Sequence, residues 1–359
     1  MNLCARSIAI IRTHQDTSGA YVACPNFPSY RYSWFRDGAF TAYAMDLVGE
    51  HESARRFHDW AAATISRHAH KARRAVENAR RGEPCGEDYL HTRYTLNGEE
   101  GSDEWPNFQL DGFGTWLWAL VEHLRLTASR LPSHWRESIH VTSSYLAALW
   151  RFPCFDLWEE HPQHIHPYTL AAIYAGLQAV AKLTGNEGWL ATADEIRCFV
   201  LEHGARRGPL VKYVGSAAVD ASLLGVATPY RLLAPDDPIM RVTVASIKAN
   251  LRHQGGGVHR YAGDTYYGGG EWVLLTAWLG WHYAEVGERR RASELLRWVE
   301  RQADADGHLP EQATGHLLAP ERRGEWEARW GPVAKPLLWS HAMYLIFYNA
   351  QLKSATRTT

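Results

Sequence analysis

Residues 167–203 read PYTLAAIYAGLQAVAKLTGNEGWLATADEIRCFVLEH, and this stretch indicates the fold class. Apolar side chains recur at intervals of three and four residues through 167–184 and again through 188–203, which is typical of amphipathic α-helices. The connection between the two segments is short, and Asn186 stands where the second helix needs an N-cap. The stretch therefore predicts a helical hairpin.

The same helical periodicity continues along nearly the whole chain, whereas alternating strand patterns are scarce. Short segments near 3–13 and 218–226 add two helices to the prediction. The remaining predicted helices are 38–49, 52–67, 109–126, 136–149, 236–251, 271–286, 289–303 and 336–352. No fixed repeat of about 30 to 50 residues is present, so the pattern favours a closed ring of helical hairpins over a solenoid.

The connections between the predicted helices alternate in length. The short ones are 49–52, 184–188 and 286–289, and the long ones are 68–108, 150–166, 252–270 and 304–335. In a double-layered ring this alternation places the long loops together on one face, where binding and catalytic residues are usually found. We see no domain boundary, so the sequence predicts a single domain over 1–353 and a disordered tail over 354–359.

Charge and cysteine content limit the partners and the compartment. Lys plus Arg total 38 and Asp plus Glu total 39, and this balance argues against a nucleic-acid or membrane-surface partner, since both require a basic face. Five scattered cysteines without a C-x-x-C pair indicate reduced thiols and a cytoplasmic location. We also expect neither a signal peptide nor a membrane-spanning helix. A neutral substrate fits this composition better than a charged one.

Two glutamates in the long loops have the setting that glycosidic bond cleavage requires. Such cleavage needs a proton donor for the leaving oxygen and a second carboxylate on the opposite face of the sugar. Glu159 follows Trp158, whose apolar ring raises a carboxyl pKa, and Glu160 adds like charge beside it. Glu311 lies in a loop shaped by Gly307 and a proline. On spacing alone, two ordinary surface glutamates remain the alternative.

A charged pair also stands at the beginning of the first long helix. Arg36 and Asp37 follow Trp34, and fixed donors and acceptors beside an aromatic ring can bracket the hydroxyls of a sugar. The alternative is a helix N-terminal aspartate with a neighbouring salt bridge.

Two further patterns are set aside. His161-x-x-His164-x-His166 lacks standard zinc spacing, so we predict no metal site there. The glycines of 255–257 and 268–270 neither precede Lys-Ser/Thr nor follow a strand, so tight turns explain them better than phosphate binding.

Taken together, the loop motifs resemble glycoside hydrolase family 15, the glucoamylase and glucodextranase family. The blocks that carry the resemblance are Tyr30–Gly38, Trp105–Gly114, Phe155–Glu160, Asp220–Leu224, His259–Trp272, Leu309–Gln312 and Trp339–Ala342. They occur in the family's order over nearly the whole chain. The resemblance implies the catalytic domain only, an all-α (α/α)6 barrel of six helical hairpins, and an inverting hydrolase without a cofactor.

Position by position, the resemblance also implies roles. Glu159 matches the general acid, Glu311 the general base that activates water, and Glu160 a residue near the leaving sugar. Arg36 and Asp37 match the pair that holds the terminal glucose. The other implied contacts are Tyr30 at the water site, Arg260 on the substrate, and Trp34, Trp105, Trp158 and Trp272 as aromatic walls.

The sequence defines the preferred substrate less closely than it defines the catalytic chemistry. The expected substrate is a short, neutral α-linked glucose oligosaccharide, with a lean towards isomaltose. Trehalose, α-1,4-linked glucans and a non-catalytic sugar-binding barrel remain alternatives. Two departures from the family bear on this choice. Glu271 adds a possible carboxylate near the mouth of the pocket, and 315–335 is a long loop expected to shape the site of the leaving sugar.

Overall fold

The computed structural model describes residues 2–205 and 208–356, and within them it contains twelve α-helices. Short 3-10 segments occur at Pro28–Tyr30, Ser133–Trp135, Ala221–Val226, Tyr266–Gly268 and Pro320–Arg322, and one π-helical turn at Val200–Gly204. The α-helices are α1 Leu3–Thr13, α2 Phe35–Leu47, α3 His51–Arg80, α4 Asp111–Leu126, α5 Arg136–Leu149, α6 Pro167–Thr184, α7 Glu187–Phe199, α8 Pro238–Leu251, α9 Val273–Glu285, α10 Arg289–Glu300, α11 Arg323–Trp330 and α12 Leu338–Thr356.

The helices form two concentric layers. In the inner layer α2 packs on α4, α4 on α6, and α9 on α12, which returns to α2 and closes the ring. The fourth inner position, between α6 and α9, is the 3-10 segment Ala221–Val226 rather than an α-helix. The outer layer consists of α1, α3, α5, α7, α8 and α10. The predicted all-α (α/α)6 barrel is confirmed.

The two layers differ in how their helices bury side chains. Every residue of the inner helix α9 from Val273 to Ala284 is buried, as expected for a helix enclosed on all sides. The outer helix α3 buries one stripe only. Aromatic rings fill the middle of the barrel, where Phe40 lies 5.2 Å from Trp278 and 5.7 Å from Trp339, measured between ring centroids. The barrel is therefore a solid core that supports the loops at one end.

Two glycines allow the inner helices α4 and α6 to approach closely. A Cβ on Gly114 would lie 2.4 Å from the carbonyl oxygen of Ala172, and a Cβ on Gly176 would lie 2.5 Å from the carbonyl oxygen of Gly114. These distances are far inside van der Waals contact, and the obstructing atoms belong to the backbone. The helices can pack at this distance only because both positions lack a side chain.

We expect Gly114→Ala to lower the free energy of unfolding by about 1–3 kcal/mol, because the added methyl group forces the backbones of α4 and α6 apart. Urea unfolding monitored by tryptophan fluorescence measures the change. Gly324→Ala is the matched control, since a Cβ there meets nothing within 4 Å. Equal unfolding midpoints for the two variants would show that the approach of α4 and α6 is not tight.

Two short two-stranded sheets hold the loops at the end of the barrel where inner helices α2, α4, α6, α9 and α12 begin. β1 (Ser33–Trp34) pairs antiparallel with β2 (Arg93–Tyr94), and β3 (Glu271–Trp272) pairs with β4 (Gln312–Ala313). β1 and β3 lead directly into α2 and α9. Each sheet thus connects a helix N-terminus to a distant long loop.

Several predicted boundaries are wrong. Helix α3 continues to Arg80 instead of ending at 67, because Ala69, Ala72, Ala75 and Val76 extend its buried stripe. The predicted loop 304–335 contains helix α11. Helix α12 continues through Thr356, so the first residues of the predicted disordered tail are helical, and 357–359 lie outside the described residues.

No helix in the described part of the chain combines the length and the apolar character needed to cross a bilayer.

Candidate active site

A cavity of about 610 Å³ opens at the end of the barrel where the long loops converge. All the site residues predicted from the sequence line this cavity. They are Tyr30, Trp34, Arg36, Asp37, Trp105, Trp158, Glu159, Glu160, Arg260, Trp272 and Glu311. They come from five separate chain segments, so the barrel, and not local sequence, brings them together.

Glu159 lies at the tip of a tight loop that begins at Asp156. Its backbone is left-handed, with φ of 67°, which is uncommon for a residue with a side chain. The indole Nε1 of Trp34 donates to Glu159 Oε1 at 2.8 Å, and Gln109 Nε2 donates to the same oxygen at 3.3 Å. Burial raises the pKa of Glu159, although the nearby Arg36 opposes the shift. The carboxyl group therefore holds a proton more strongly than a glutamate in water.

Glu311 lies directly before β4 and is 3% exposed. The hydroxyl of Tyr30 donates to Glu311 Oε1 at 3.2 Å and contacts the hydroxyl of Tyr266 at 2.9 Å. The other oxygen, Oε2, has no hydrogen-bond partner among the described residues. Burial raises the pKa of Glu311 to about 8, while Arg260 and the Tyr30 hydroxyl oppose the shift. One oxygen is thus oriented and the other is available to a bound molecule.

Arg36 and Asp37 occupy the first turn of α2, on the floor of the cavity. Arg36 Nη1 donates to Gln109 Oε1 at 2.9 Å and to Asp111 Oδ2 at 3.2 Å, so its guanidinium is held by α4 and the segment before it. Burial raises the pKa of Asp37 to about 7, although Arg36 opposes this. Asp111, in the first turn of α4, thus anchors Arg36.

Arg260 lies in one wall of the cavity. Its guanidinium donates through Nε to Asp264 Oδ2 at 2.8 Å, and its Nη2 lies 3.6 Å from Glu160 Oε1. The rings of Trp158 and Trp272 lie 5.3 and 5.0 Å from the guanidinium carbon. A cation surrounded by aromatic faces and fixed by one carboxylate has little freedom to move. Arg260 therefore presents its remaining N–H groups in a defined direction.

Another wall of the cavity consists of Trp34 and Trp105, whose ring centroids are 5.9 Å apart in an edge-to-face arrangement. Arg93, which pairs with Trp34 across β1 and β2, stacks 3.7 Å from the Trp105 ring centroid. Arg93 also forms a salt bridge with Asp103. The wall is therefore fixed from behind by a buried cation.

The rim of the cavity is formed by α11, which lies within 315–335, the long segment expected from the sequence to shape the site of the leaving sugar. Helix α11 places Trp326, Arg329 and Trp330 on the cavity, and Trp326 meets Tyr266 edge-to-face at 4.9 Å.

The expectation that Glu271 adds a carboxylate near the mouth is wrong. Adjacent residues of a strand point to opposite faces, so Trp272 faces the cavity while Glu271 lies under the 255–257 turn, accepting from Gly257 N at 2.8 Å.

Several residues of the site were missed by sequence analysis. Gln109 lies within a motif block but had no assigned role, and it bridges Arg36 and Glu159. Tyr266 and Trp339 line the cavity. Lys212 lies behind the Glu159 loop. The sequence signal for Gln109 and Tyr266 was their position inside long motif blocks, whereas Lys212 stands outside every block.

The histidines of the 161–166 segment contact neighbouring protein groups. His164 stacks on Tyr213 with ring centroids 3.9 Å apart, and His166 Nε2 lies 3.0 Å from the carbonyl oxygen of Cys154. These contacts are consistent with a role in loop packing.

Several buried polar atoms of the cavity lining have no hydrogen-bond partner among the described residues. Buried polar atoms in folded proteins normally have hydrogen-bond partners, so a group of unpaired ones indicates a place for a ligand. Those without a hydrogen-bond partner among the described residues include Trp272 Nε1, Glu311 Oε2 and Trp339 Nε1. Arg36 Nε and Asp37 Oδ2 also make no hydrogen bond and face each other as an ion pair at 3.5 Å. Donors and acceptors are mixed with aromatic faces, which suits a neutral polyhydroxylated molecule.

Replacing Tyr30 with phenylalanine should move the acidic limb of the pH profile of kcat/KM to higher pH. The Tyr30 hydroxyl stabilises the ionised form of Glu311 and lowers its pKa, so its removal raises that pKa. If the reaction needs ionised Glu311, a higher pH is then required. A hydrogen bond to a charged group contributes about 1.5–3 kcal/mol, so the limb should move by about 1 to 2 pH units.

The control for this experiment is Tyr32→Phe, since the Tyr32 hydroxyl donates to Asp103 at 2.8 Å and not to Glu311. An acidic limb that stays in place in Tyr30→Phe would show that Tyr30 does not tune the Glu311 carboxyl group.

Comparison with known proteins shows extensive similarity to sugar-cleaving enzymes. An isomaltose glucohydrolase from Kribbella flavida is 47% identical over 352 residues, which are 96% of this chain and 91% of that protein. A solved structure of a glycosidase variant in complex with glucose has a TM-score of 0.93 and 46% identity, covering 97% of this chain and 96% of the other. A trehalase from Mycobacterium tuberculosis is 28% identical, and the match covers 74% of this chain and 42% of the trehalase.

The sequence pattern of the family described as "Glycosyl hydrolases family 15" matches residues 1–328. The match spans the barrel from α1 to within α11, including every segment that contributes a predicted site residue. This chain therefore belongs to glycoside hydrolase family 15 and is a glycoside hydrolase.

Proposed function

We propose that this enzyme removes a single glucose unit from the non-reducing end of a short α-glucoside, of which isomaltose is the preferred example, and releases it as β-glucose. The observation that carries the proposal is the placement of Glu159 and Glu311 on one cavity lined by aromatic rings and unpaired polar atoms. The isomaltose glucohydrolase supports the choice of substrate, because its similarity extends over nearly the full length of both chains.

In the proposed reaction, Glu159 is the general acid. Burial raises its pKa and so favours the protonated carboxyl, and its proton passes to the glycosidic oxygen as the bond from that oxygen to C1 breaks. Trp34 and Gln109 both donate to Oε1, and this orients the carboxyl group and leaves the second oxygen to carry the proton.

Glu311 is the general base in the proposal. A water molecule bound to its unpaired Oε2 would donate to the carboxylate and thereby favour the ionised form. As this water attacks C1 from the face opposite the leaving oxygen, its proton passes to Glu311, and the configuration at C1 inverts. Such a mechanism requires a separation of about 6.5–9.5 Å between the two carboxyl groups, which leaves room for the water.

The terminal glucose is held by residues on the floor and walls. Arg36 Nε and Asp37 Oδ2 form an ion pair at 3.5 Å in which neither atom makes a hydrogen bond, so they present a donor and an acceptor side by side, which suit vicinal hydroxyls. Arg260 and the rings of Trp34, Trp158 and Trp272 would enclose the sugar's faces. Trp105, Glu160 and the α11 rim complete the cavity towards the leaving sugar, and Tyr30 steadies the water site through Glu311.

A trehalase activity is the second candidate, because trehalases are among the relatives. Initial rates on isomaltose, maltose, kojibiose, nigerose and trehalose, offered separately, distinguish the candidates. We expect isomaltose to give the highest kcat/KM. A higher value for trehalose or maltose would replace the proposed linkage with the corresponding one, and no cleavage of any disaccharide would contradict the proposed substrate class.

A cytoplasmic location remains part of the proposal. The five cysteines are all unpaired, with Cys24, Cys85 and Cys154 buried, as is usual for proteins of a reducing compartment.

A further inference from the structure

The loop that carries Glu159 is supported from behind by a buried lysine. Lys212 is 6% exposed, and its Nζ lies 2.8 Å from Asp220 Oδ2, 3.4 Å from Asp156 Oδ2 and 4.0 Å from Glu160 Oε2. Lys212 itself does not line the cavity. One buried ammonium group is therefore shared by three carboxyl groups, each of which belongs to or contacts the wall of the active site.

The first of these carboxyl groups determines the shape of the loop. Asp156 Oδ1 accepts from the backbone N–H of Trp158 and of Glu160, both at 2.9 Å, and these residues flank Glu159 on either side. The carbonyl oxygen of Asp156 also accepts from the Glu159 N–H at 2.9 Å. Glu159 has a left-handed backbone that a residue with a side chain adopts only when its surroundings impose it. Asp156 provides that constraint, and Lys212 holds Asp156 through its other oxygen.

The second carboxyl group fixes the aromatic wall beside the acid. Both oxygens of Asp220 accept from Trp158 Nε1, at 3.1 and 3.0 Å, and Oδ1 also accepts from Ser222 N at 2.8 Å. The same aspartate receives the closest contact of Lys212. The orientation of the Trp158 ring, which lies next to Glu159 in the chain, thus depends on the same cation.

The third contact leads to the side of the cavity assigned to the leaving sugar. Lys212 Nζ lies 3.6 Å from the centroid of the Tyr261 ring, and the Tyr261 hydroxyl donates to Glu160 Oε2 at 2.6 Å. Glu160 also lies 3.6 Å from Arg260. The ammonium group therefore connects the proton donor's loop with the residues that would contact the departing sugar.

We propose that Lys212 is the positioning residue for the protonation step, since it holds Glu159 in the orientation that delivers its proton to the leaving oxygen. The inference rests on the proposed function, in which Glu159 is the general acid. Lys212 touches neither substrate nor water in this account. It acts through Asp156, Asp220 and Glu160, so its effect should depend on how much protonation the leaving group needs.

The test compares Lys212→Met with the wild-type enzyme on isomaltose and on α-glucosyl fluoride. Fluoride departs with little help from an acid, whereas the leaving glucose of isomaltose needs a proton on its departing oxygen. General acid catalysis contributes about 100- to 10,000-fold, so we expect kcat at saturating isomaltose to fall at least about 100-fold, and kcat for the fluoride by less than about 5-fold. Lys212→Arg, which retains the charge, should recover part of the loss on isomaltose.

Two further variants make the outcome independent of a folding defect in Lys212→Met. Asp156→Asn removes the ion pair with Lys212 but retains an oxygen for the backbone N–H groups, and it should show the same selective loss on isomaltose. Lys71→Met removes a partly buried lysine away from the site, whose Nζ lies 2.6 Å from Glu100 outside the cavity, and should leave both rates unchanged. Circular dichroism and thermal melting identify any variant that is not folded at the assay temperature.

Equal losses on isomaltose and fluoride by folded Lys212→Met or Asp156→Asn would overturn the inference and leave Lys212 with a structural role only. Glu159→Gln separates this failure from failure of the proposed function. If Glu159→Gln shows the selective loss and the lysine variant does not, only the role of Lys212 is wrong. If Glu159→Gln shows no selectivity, the acid assignment itself is wrong.

Discussion

Glu311→Gln should lower kcat on isomaltose by about 100- to 10,000-fold while the substrate continues to bind. Glutamine has the shape of glutamate and can accept the hydrogen bond from Tyr30, but its amide cannot take a proton from water. The residues assigned to the terminal glucose, Arg36, Asp37 and Arg260, are unchanged. Quenched-flow or steady-state assays measure kcat, and titration of the tryptophan fluorescence measures the dissociation constant, which should remain within a few-fold of the wild-type value.

Glu271→Gln is the matched control for this variant. Glu271 is also a buried glutamate, 2% exposed, and lies on β3, the strand that pairs with the strand following Glu311. It lies outside the cavity and accepts one backbone hydrogen bond, which glutamine can also accept. We expect its activity to be close to that of the wild-type enzyme. Wild-type turnover by Glu311→Gln would remove Glu311 from the role of base.

Glu159→Gln should damage catalysis in proportion to the leaving group's need for a proton. We expect kcat on isomaltose to fall by about 100- to 10,000-fold and the rate on α-glucosyl fluoride to fall far less. The pH profile gives a second readout. In the wild-type enzyme, activity should decline as the pH rises through the raised pKa of Glu159 and the carboxyl loses its proton, so this alkaline limb of the profile should disappear in the variant. Steady-state kinetics with both substrates between pH 5 and pH 9 test both expectations.

Glu104→Gln serves as the control, since Glu104 is an exposed carboxylate at the cavity rim near Trp105. It should retain the alkaline limb and the wild-type ratio of rates on the two substrates. Equal losses on isomaltose and fluoride by Glu159→Gln, with the alkaline limb still present, would contradict the assignment of Glu159 as acid.

The helical layers were largely predictable because apolar periodicity records which face of each helix is buried. The helix at 167–184 was predicted with its observed bounds, since Pro167 and Gly185 mark its ends. Helix α3 was cut short because its second half carries many charges outside a narrow alanine stripe. Helix α11 was missed because all its described residues are at least partly exposed, so it has no buried stripe to give a periodic signal.

The site was predictable to the extent that its residues stand in unusual local motifs. Trp34, Arg36 and Asp37 follow one another, so a single motif reveals them. Lys212 was not predictable, because its partners Asp156 and Asp220 become neighbours only through the fold. The direction of Glu271 was mispredicted because nothing in the sequence marked Glu271–Trp272 as a two-residue strand, whose alternation turns the carboxylate away from the cavity.

The most direct test of the inverting mechanism is proton NMR of isomaltose during the first minutes of its hydrolysis by the wild-type enzyme. The anomeric signals distinguish β-glucose from α-glucose before mutarotation mixes them. Because water activated by Glu311 attacks from the face opposite the leaving oxygen, we expect the glucose released from the non-reducing end to be initially the β-anomer. Initial release of α-glucose from that end would contradict the assigned base and the inverting geometry together.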